Sequence, residues 1–204
     1  NISPNTTSGL SIVSYTGTGA NATVGHGLGA EPKMIIVKNR DQAYNWTVYH
    51  SSLGNGNRIR LNTTDDSSSG TNWNSTTPTS SVFSIGTNAD VNGSTDDIIA
   101  YCFAEKKGFS KFGSYTGNGN ADGTFVYTGF KPAWVMFKRT DGNAAKGWLI
   151  YDATRDTFNA SDSVLQAHMS SAEVSAADID ILSNGLKIRT TDGAVNNSGS
   201  TYIY

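Results

Sequence analysis

The chain has 204 residues and a formal net charge of −2, and only 16% of its residues are charged. Without a basic excess it cannot gain affinity for nucleic acid by displacing counterions from phosphates, so nucleic-acid binding is excluded as the expected function. No apolar run reaches transmembrane length, so we expect no membrane insertion, and the 10% of aromatic residues argue against disorder.

The first predicted element is a polar linker at residues 1–8, NISPNTTS. The chain begins with Asn1 rather than Met, so we expect it to be a fragment of a longer polypeptide. The single cysteine, Cys102, lies farther along in the apolar run IIAYCFA. This setting predicts a buried, unreactive thiol and no disulfide.

Short segments rich in β-branched and aromatic residues follow the linker, separated by clusters of Gly, Asn and Ser. In chain order, the first half contains the predicted strands SIVSY, KMIIVKN, WTVYHS, RIRLN, SVFSIG and DIIAYCFAE. Alternation within WTVYH places Trp46, Val48 and His50 on one face of the strand and Thr47 and Tyr49 on the other. Short strands with polar turns between them predict an antiparallel β-sandwich.

The second half of the chain contains the clearest hairpin signal. In DIDILSNGLKIRT, Asn184-Gly185 lies between two alternating runs, and Asn-Gly suits a tight β-turn. The segment SVLQAHMSSAEV, residues 163–174, has the best helical pattern of the chain. It aligns with the strand-like RIRLNTTDD of the first half, so we do not expect a helix there.

An internal repeat connects the two halves. SYTGTG at Ser14–Gly19 returns as SYTGNG at Ser114–Gly119, and Pro32 aligns with Pro132 at the same offset. The runs KMIIVKNRD and AWVMFKRTD follow these prolines, and WTVYH then aligns with WLIYD after a small shift. The same turn residues in the same order predict a tandem duplication.

The predicted fold is therefore all-β, with two tandem antiparallel β-sandwich modules, jelly-roll-like, related by internal duplication. After the linker at 1–8, we expect repeat 1 at residues 9–107 and repeat 2 at residues 108–204. The chain stops at STYIY, so the last strand of repeat 2 is expected to be incomplete. The repeats could form separate sandwiches or merge their sheets, and two packed modules are favoured.

The sequence offers no catalytic or metal-binding pattern, so we expect no enzyme, no metal and no cofactor. GTGANA at Gly17–Ala22 fits the letters of a dinucleotide fingerprint, but no helix follows it. The three histidines, His26, His50 and His168, lack the spacing that brings two onto one face. A surface cation, and a carboxylate pair formed in three dimensions, stay open.

Trp73 is the candidate for a ligand surface. It lies in the loop SSSGTNWNSTTP, where the sequence offers nothing to bury it, and the second repeat has no counterpart. Exposed rings beside amides suit sugars, because ring faces stack on apolar sugar faces and amides bind hydroxyls. We therefore predict ligand binding at Trp73, Asn72 and Asn74, whereas the aligned Trp46 and Trp148 are expected to share equivalent core positions.

Four long segments resemble repeated modules of tail-fibre-like structural proteins of marine bacteriophages. They are GHGLGAEPKMIIVKNRDQAYNWTVYHSSLG, WNSTTPTSSVFSIGTNADVN, IAYCFAEKKGFSKFGSYTGNGNADGTFVYTGFKPAWVMFKR and DIDILSNGLKIR. The resemblance covers the chain after Ser8. The last copy in that family typically ends in TYIYMAFAE, and this chain departs by stopping at STYIY.

The resemblance implies a non-enzymatic component of the virion, a tail-fibre or adhesin module that contacts glycans on the host surface. The alternative is a purely structural capsid or tail protein, a decoration or spacer that binds only other virion proteins. A polysaccharide depolymerase is a third interpretation, for which the sequence shows no acid–base pair. Expected partners are other virion proteins, bacterial surface polysaccharide and further copies of the chain, because linked modules multiply weak contacts.

Overall fold

The computed structural model describes residues 1–142 and 146–204, and it confirms the all-β prediction, with 42% of residues in strands and 4% helical. The chain divides into two compact units. Unit 1 comprises Asn1–Leu61 and Ser67–Lys106, and unit 2 comprises Asn62–Asp66 and Lys107–Tyr204. The predicted repeat 1, residues 9–107, includes residues 62–66, which the structure groups with unit 2. The predicted limits of the repeats stay predictions.

Unit 1 contains a seven-stranded antiparallel sheet and a two-stranded sheet. The order in the large sheet is β1-β2-β9-β4-β5-β6-β7, and β3 pairs with β8 in the small one. A 3-10 turn at Ser51–Leu53 follows β5, and a single helical turn, α1 (Ala89–Asn92), precedes β9. In chain order the strands are β1 (Ile2–Asn5), β2 (Leu10–Thr16), β3 (Ala22–Gly25), β4 (Pro32–Asn39), β5 (Thr47–His50), β6 (Asn57–Arg60), β7 (Ser68–Ser69), β8 (Val82–Ile85) and β9 (Asp97–Ala104).

Strand β9 shows why these segments form a sheet around a core. Its apolar residues alternate, and Ile98, Ala100, Cys102 and Ala104 are all buried on one face. The strand is hydrogen-bonded to β2 on one side and to β4 on the other, so its backbone polar groups are paired. The burial of the free Cys102 thiol is confirmed, and this burial raises its pKa to about 12.

Unit 2 is built on one eight-stranded antiparallel sheet that closes almost into a barrel. The order is β10-β17-β12-β13-β14-β15-β16-β11. The two end strands meet where the Thr124 hydroxyl, next to β11, donates to the carbonyl of Thr116 in β10 at 2.7 Å. In chain order the strands are β10 (Ser114–Thr116), β11 (Phe125–Tyr127), β12 (Trp134–Arg139), β13 (Trp148–Asp152), β14 (Ser161–Gln166), β15 (Val174–Leu182), β16 (Gly185–Ile188) and β17 (Thr201–Ile203).

The two units repeat one strand order. Unit 1 contains the series β2-β9-β4-β5-β6, and unit 2 contains β10-β17-β12-β13-β14. The pairing register agrees as well, because Ile35 of β4 faces Tyr49 of β5, and Val135 of β12 faces Tyr151 of β13. Strands β3 and β8 pair with each other in unit 1, as β11 and β16 do in unit 2.

In unit 1 the turn after the first long strand closes against a buried asparagine, Asn92. Gly19 N–H donates to Asn92 O at 3.0 Å, and Gly19 has a φ of +69°, which side chains with a Cβ rarely adopt. The Asn92 side chain accepts from Thr18 N–H at 2.7 Å. Its amide group donates to Ala20 O and Gly86 O, each at 2.7 Å, so all of its polar atoms are paired.

Asn196 makes the same set of contacts in unit 2. Gly119, with a φ of +68°, donates its N–H to Asn196 O at 3.0 Å. The Asn196 side chain accepts from Asn118 N–H at 2.9 Å and donates to Asn120 O and Thr190 O, each at 2.7 Å. Each of the two hexapeptides, SYTGTG and SYTGNG, thus leads into a bend that is held by the side chain of one buried asparagine.

The predicted hairpin in the second half is confirmed, with its loop one residue earlier than expected. Leu182 of β15 pairs with Gly185 of β16, so residues 183 and 184 form the loop. Residues 163–174 form no helix, as predicted, because β14 and β15 occupy the two ends of this segment.

The segment predicted as a linker, residues 1–8, forms a strand over half of its length. Residues 2–5 form β1, which pairs with β2 through Ile2 opposite Val13 and Asn5 opposite Leu10. The polarity of NISPNTTS indicates exposure, and all four residues of β1 are indeed exposed. Edge strands need pairing on one side only, so a polar sequence can still form a strand.

Candidate functional site

The structure places Trp73 in the core of unit 1, so the prediction that nothing buries it is wrong. Its side chain is 2% exposed and packs edge-to-face on Tyr49, with ring centroids 5.6 Å apart. The indole N–H donates to Asn57 O of β6 at 3.0 Å. A buried indole with its N–H satisfied is a stabilising contact, and this ring cannot stack on a sugar at the surface.

The two asparagines beside Trp73 do not form a shared surface either. Asn72 is 0% exposed, and its side-chain oxygen accepts from an Arg58 guanidinium N–H at 2.9 Å. Asn74 is exposed and has a φ of +47°, as part of the turn that carries the chain back to β8. Of the three predicted ligand residues, only Asn74 therefore lies at the surface.

The aligned tryptophans differ in burial. Trp148 is 1% exposed. Trp46 is part-exposed and stacks on Tyr101, with centroids 6.4 Å apart and an angle of 28° between the rings. The prediction of buried positions thus holds fully for Trp148 and in part for Trp46.

Strand β11 of unit 2 carries two exposed aromatic side chains on one face. Val126 points into the core and is 4% exposed, whereas its neighbours Phe125 and Tyr127 are 43% and 63% exposed. Since side chains alternate along a strand, both rings project from the outer face of the sheet. Large exposed apolar groups close together mark binding surfaces more often than isolated ones do.

Two glycines lie beside these rings. Gly185 is opposite Tyr127 across the β11–β16 pair, and a Cβ at Gly185 would lie 3.0 Å from Phe125 Cζ. The Phe125 ring therefore covers the space that a side chain would fill. At the other end, a Cβ at Gly129 would lie 3.6 Å from the Tyr127 hydroxyl oxygen. A glycine thus lies close to each of the two rings.

Charged side chains flank the rings. Lys187 lies opposite Phe125 on β16, and its Nζ is 2.7 Å from Asp122 Oδ1. The hydrogen bond and charge of Lys187 lower the pKa of the Asp122 carboxyl. We call Phe125, Tyr127, Gly185, Lys187 and Asp122 the platform.

Unit 1 has no such surface at the matching strand. Its Val24 faces Phe83 across β3–β8, as Val126 faces Leu186 across β11–β16. The neighbours of Val24 are Thr23 and Gly25. A Cβ at Gly25 would lie 3.5 Å from Ile2 Cδ1, so β1 lies against the position that Tyr127 occupies in unit 2.

His26 serves local structure. His26 is 0% exposed, with Nδ1 accepting from Leu28 N–H at 3.2 Å and Nε2 3.1 Å from Thr79 O. Burial lowers its pKa. In residues 1–142 and 146–204, no three His, Cys, Asp or Glu side chains are grouped to hold a metal ion. No helix in the same residues has the length and apolar character to cross a membrane.

Two buried charged groups in unit 2 also hold the fold together. The Lys138 side chain is 0% exposed, and its Nζ donates to Lys146 O at 2.6 Å and to Thr64 O at 3.3 Å. Burial lowers its pKa to about 8. The buried Asp178 carboxylate accepts from the Tyr151 hydroxyl. These contacts tie strands to loops within one unit, and we assign them to stability.

Sequence reasoning missed the platform, although a signal was present. In GTFVYTGF, Phe125 and Tyr127 alternate with Val126, so one of the two faces must be the outer one. The sequence does not show that Val126 packs in the core, which decides which face of the strand is buried. The second half of the chain also contains many other aromatic residues, so this pair did not stand out.

Comparison with known proteins identifies a family, without an assigned function. Neither a curated protein nor a solved structure matches the chain. One family model matches it over residues 1–204, that of the Domain of unknown function (DUF7483). The chain belongs to this family.

Proposed function

We propose that the protein is a non-enzymatic module of a bacteriophage virion appendage, a tail fibre or adhesin, that contacts polysaccharide on the bacterial surface. The family carries no assigned function, so the proposal rests on two supports. One is the resemblance of four long segments to tail-fibre-like modules. The other, which carries the contact with sugar, is the exposed ring pair of Phe125 and Tyr127 on a rigid strand.

The proposal includes an origin of the fold by tandem duplication into two sandwich modules. It is supported by the common strand order of the two units and by the common register of Ile35 with Tyr49 and of Val135 with Tyr151. The equivalent roles of Asn92 and Asn196 support it further, because two unrelated domains have no reason to fasten the same turn in the same way.

Adhesion through such modules would depend on many weak contacts made at the same time. A shallow ring pair binds a sugar weakly, but linked or clustered copies turn each later contact into an intramolecular one. The virion would supply the clustering, and further copies of the chain are the expected partners. Low charge also suits an uncharged, hydroxyl-rich ligand.

Adsorption of the fluorescently labelled chain, clustered on beads, to a panel of bacterial strains tests the proposal. We expect saturable adsorption to some strains, competed by their purified surface polysaccharide and lost in the double variant Phe125→Ala/Tyr127→Ala. The matched control is Tyr44→Ala/Phe158→Ala, which removes one Tyr and one Phe exposed by 40% and 85% outside the platform. Absence of adsorption to every strain, together with tight association with virion proteins, would contradict an adhesive role.

The second candidate is a purely structural decoration or spacer of the capsid or tail. The burial of Trp73 favours it, because the loop aromatic that pointed to adhesion is part of the core. Labelling of intact particles separates the two roles: a spacer keeps the platform covered by neighbouring virion proteins, whereas an adhesin leaves it open to a probe.

A further inference from the structure

We infer that the platform binds a neutral pyranose unit of a glycan, and that unit 2 alone carries this site. The inference rests on the proposed function, because it names the sugar class and the surface that contact with a bacterial polysaccharide would use.

The apolar part of the site is the ring pair. Phe125 and Tyr127 are next-but-one neighbours on β11, so their Cα atoms are about 6.6 Å apart. One face of a pyranose presents C–H bonds, which pack on an aromatic ring, while its hydroxyls need hydrogen-bond partners. Lys187 is paired with Phe125 across β11–β16, and its ammonium, which donates hydrogen bonds, lies 2.7 Å from the Asp122 carboxylate, which accepts them.

The charges around the rings favour a neutral sugar. Asp122 is paired with Lys187 at 2.7 Å, and Asp180, opposite Lys187 on β15, is paired with Arg189 at 3.2 Å. These four charges sum to zero. An acidic sugar would have to displace a carboxylate from its base or lie beside Asp122, which is repulsive. A neutral pyranose meets neither cost.

The site is also held in place before binding. The carbonyl of Asn184, in the hairpin loop, accepts from both Thr128 N–H and Gly129 N–H at 3.1 Å, which fixes the end of β11. The Phe125 ring rests over Gly185. A prearranged surface loses less conformational entropy when a ligand binds.

Unit 1 lacks the ring pair at the corresponding strand. Thr23 and Gly25 replace the two rings, and Ile2 of β1 lies against Gly25. The two units therefore differ in the surface that they present to a ligand. Unit 2 exposes two rings on β11, whereas in unit 1 β1 lies against β3.

The test is a titration of the full 204-residue chain with ring-labelled Phe and Tyr, followed by NMR. Its probes are neutral hexasaccharides of glucose, mannose and galactose, and hexagalacturonate as the acidic probe. We expect at least one neutral probe to shift the ring signals of Phe125 and Tyr127, and hexagalacturonate to bind more weakly. Phe125→Ala and Tyr127→Ala should each weaken the neutral probe by roughly tenfold, and Tyr44→Ala/Phe158→Ala should leave it unchanged.

Two results would overturn the inference: ring signals that no probe moves, or tighter binding of the acidic probe than of each neutral one. Tyr127 is 63% exposed, so its variant keeps the fold, which the amide spectrum verifies. Failure here is distinct from failure of the proposed function. If Phe125→Ala/Tyr127→Ala still adsorbs to cells, the platform is not the binding site but the adhesive role stands. If the chain binds sugar but adsorbs to no strain, the platform binds sugar but the adhesive role is rejected.

Discussion

The Tyr151 hydroxyl donates a hydrogen bond of 2.6 Å to the carboxylate of Asp178 inside unit 2. Asp178 is 7% exposed, and burial raises the pKa of its carboxyl, assisted by the charge of Asp192 and opposed by the bond from Tyr151. The Tyr151 hydroxyl therefore helps to hold a buried carboxylate in the core, and the raised pKa of this carboxyl makes the stability of unit 2 depend on pH.

The first prediction concerns this dependence. As the pH rises above about 3.9, the unfolded carboxyl ionises before the native one, so the free energy of unfolding falls until the pH passes the native pKa. Asp178→Asn should remove that fall and unfold less readily than wild type at pH 7. Tyr151→Phe, which removes the bond that opposes the shift, should steepen the fall and cost about 1 kcal/mol. Urea unfolding at pH 4 and pH 7 measures both, and equal slopes in all three proteins would refute the assignment.

The second prediction concerns His26 in unit 1 and has the opposite sign. Its Nδ1 accepts a hydrogen bond from Leu28 N–H, which requires the neutral ring, and burial lowers its pKa. As the pH falls below about 6.5, the unfolded histidine takes up a proton first, so stability is lost on the acid side. His26→Leu should cost about 1–3 kcal/mol at pH 7.5, because it leaves the buried Leu28 N–H unpaired, but should abolish the further loss at pH 5.5. A variant that keeps the full acid-side loss would assign it elsewhere.

The third prediction follows from the place of Trp73 in the core. Trp73→Ala should destabilise unit 1 by about 3–5 kcal/mol, since it removes a large buried ring, and Trp73→Phe should cost less. The matched control is Trp134→Ala on β12, where the side chain is 54% exposed and the expected change is within about 0.5 kcal/mol. Denaturant unfolding gives the values. Weakened sugar binding in a folded Trp73→Phe variant would instead restore a role in ligand contact.

The fourth prediction tests the equivalence of the two turns. Asn92→Ala and Asn196→Ala each remove a buried side chain that bonds both a backbone N–H and two carbonyls. Each should destabilise its own unit by about 2–4 kcal/mol, because the abandoned backbone groups stay buried. Hydrogen exchange, read separately for the two units, reports each loss. A large cost in one unit beside a negligible cost in the other would weaken the case for duplication.

Local pattern was enough to predict the apolar strands of unit 1, such as β9. In β9 the alternation of Ile98, Ala100 and Cys102 fixes both the strand and its buried face, because the information lies within a few neighbouring residues. The Asn-Gly signal likewise predicted the hairpin, although the loop itself formed one residue earlier. Such features depend on short-range preferences of the backbone.

The candidate site depended on contacts between distant residues, so it was not predictable in the same way. Trp73 is surrounded by polar neighbours in the sequence, and its burial requires Asn57, 16 residues away, and Tyr49. In unit 1, β1 lies against Gly25, the residue that corresponds to Tyr127. Among the described residues of unit 2 no strand corresponds to β1, so Tyr127 is exposed. The polar neighbours of Trp73 in the sequence predicted exposure for a ring that is buried.

The five residues 62–66 belong to unit 2 although they interrupt the sequence of unit 1. Dissection of the chain must respect this discontinuity. A truncated product beginning at residue 107 would lack the Thr64 carbonyl, so the Lys138 ammonium would lose one of its hydrogen-bond acceptors. A recombinant version of the second unit therefore needs that short piece supplied, by circular permutation or as an added peptide, before its behaviour can stand for that of the intact protein.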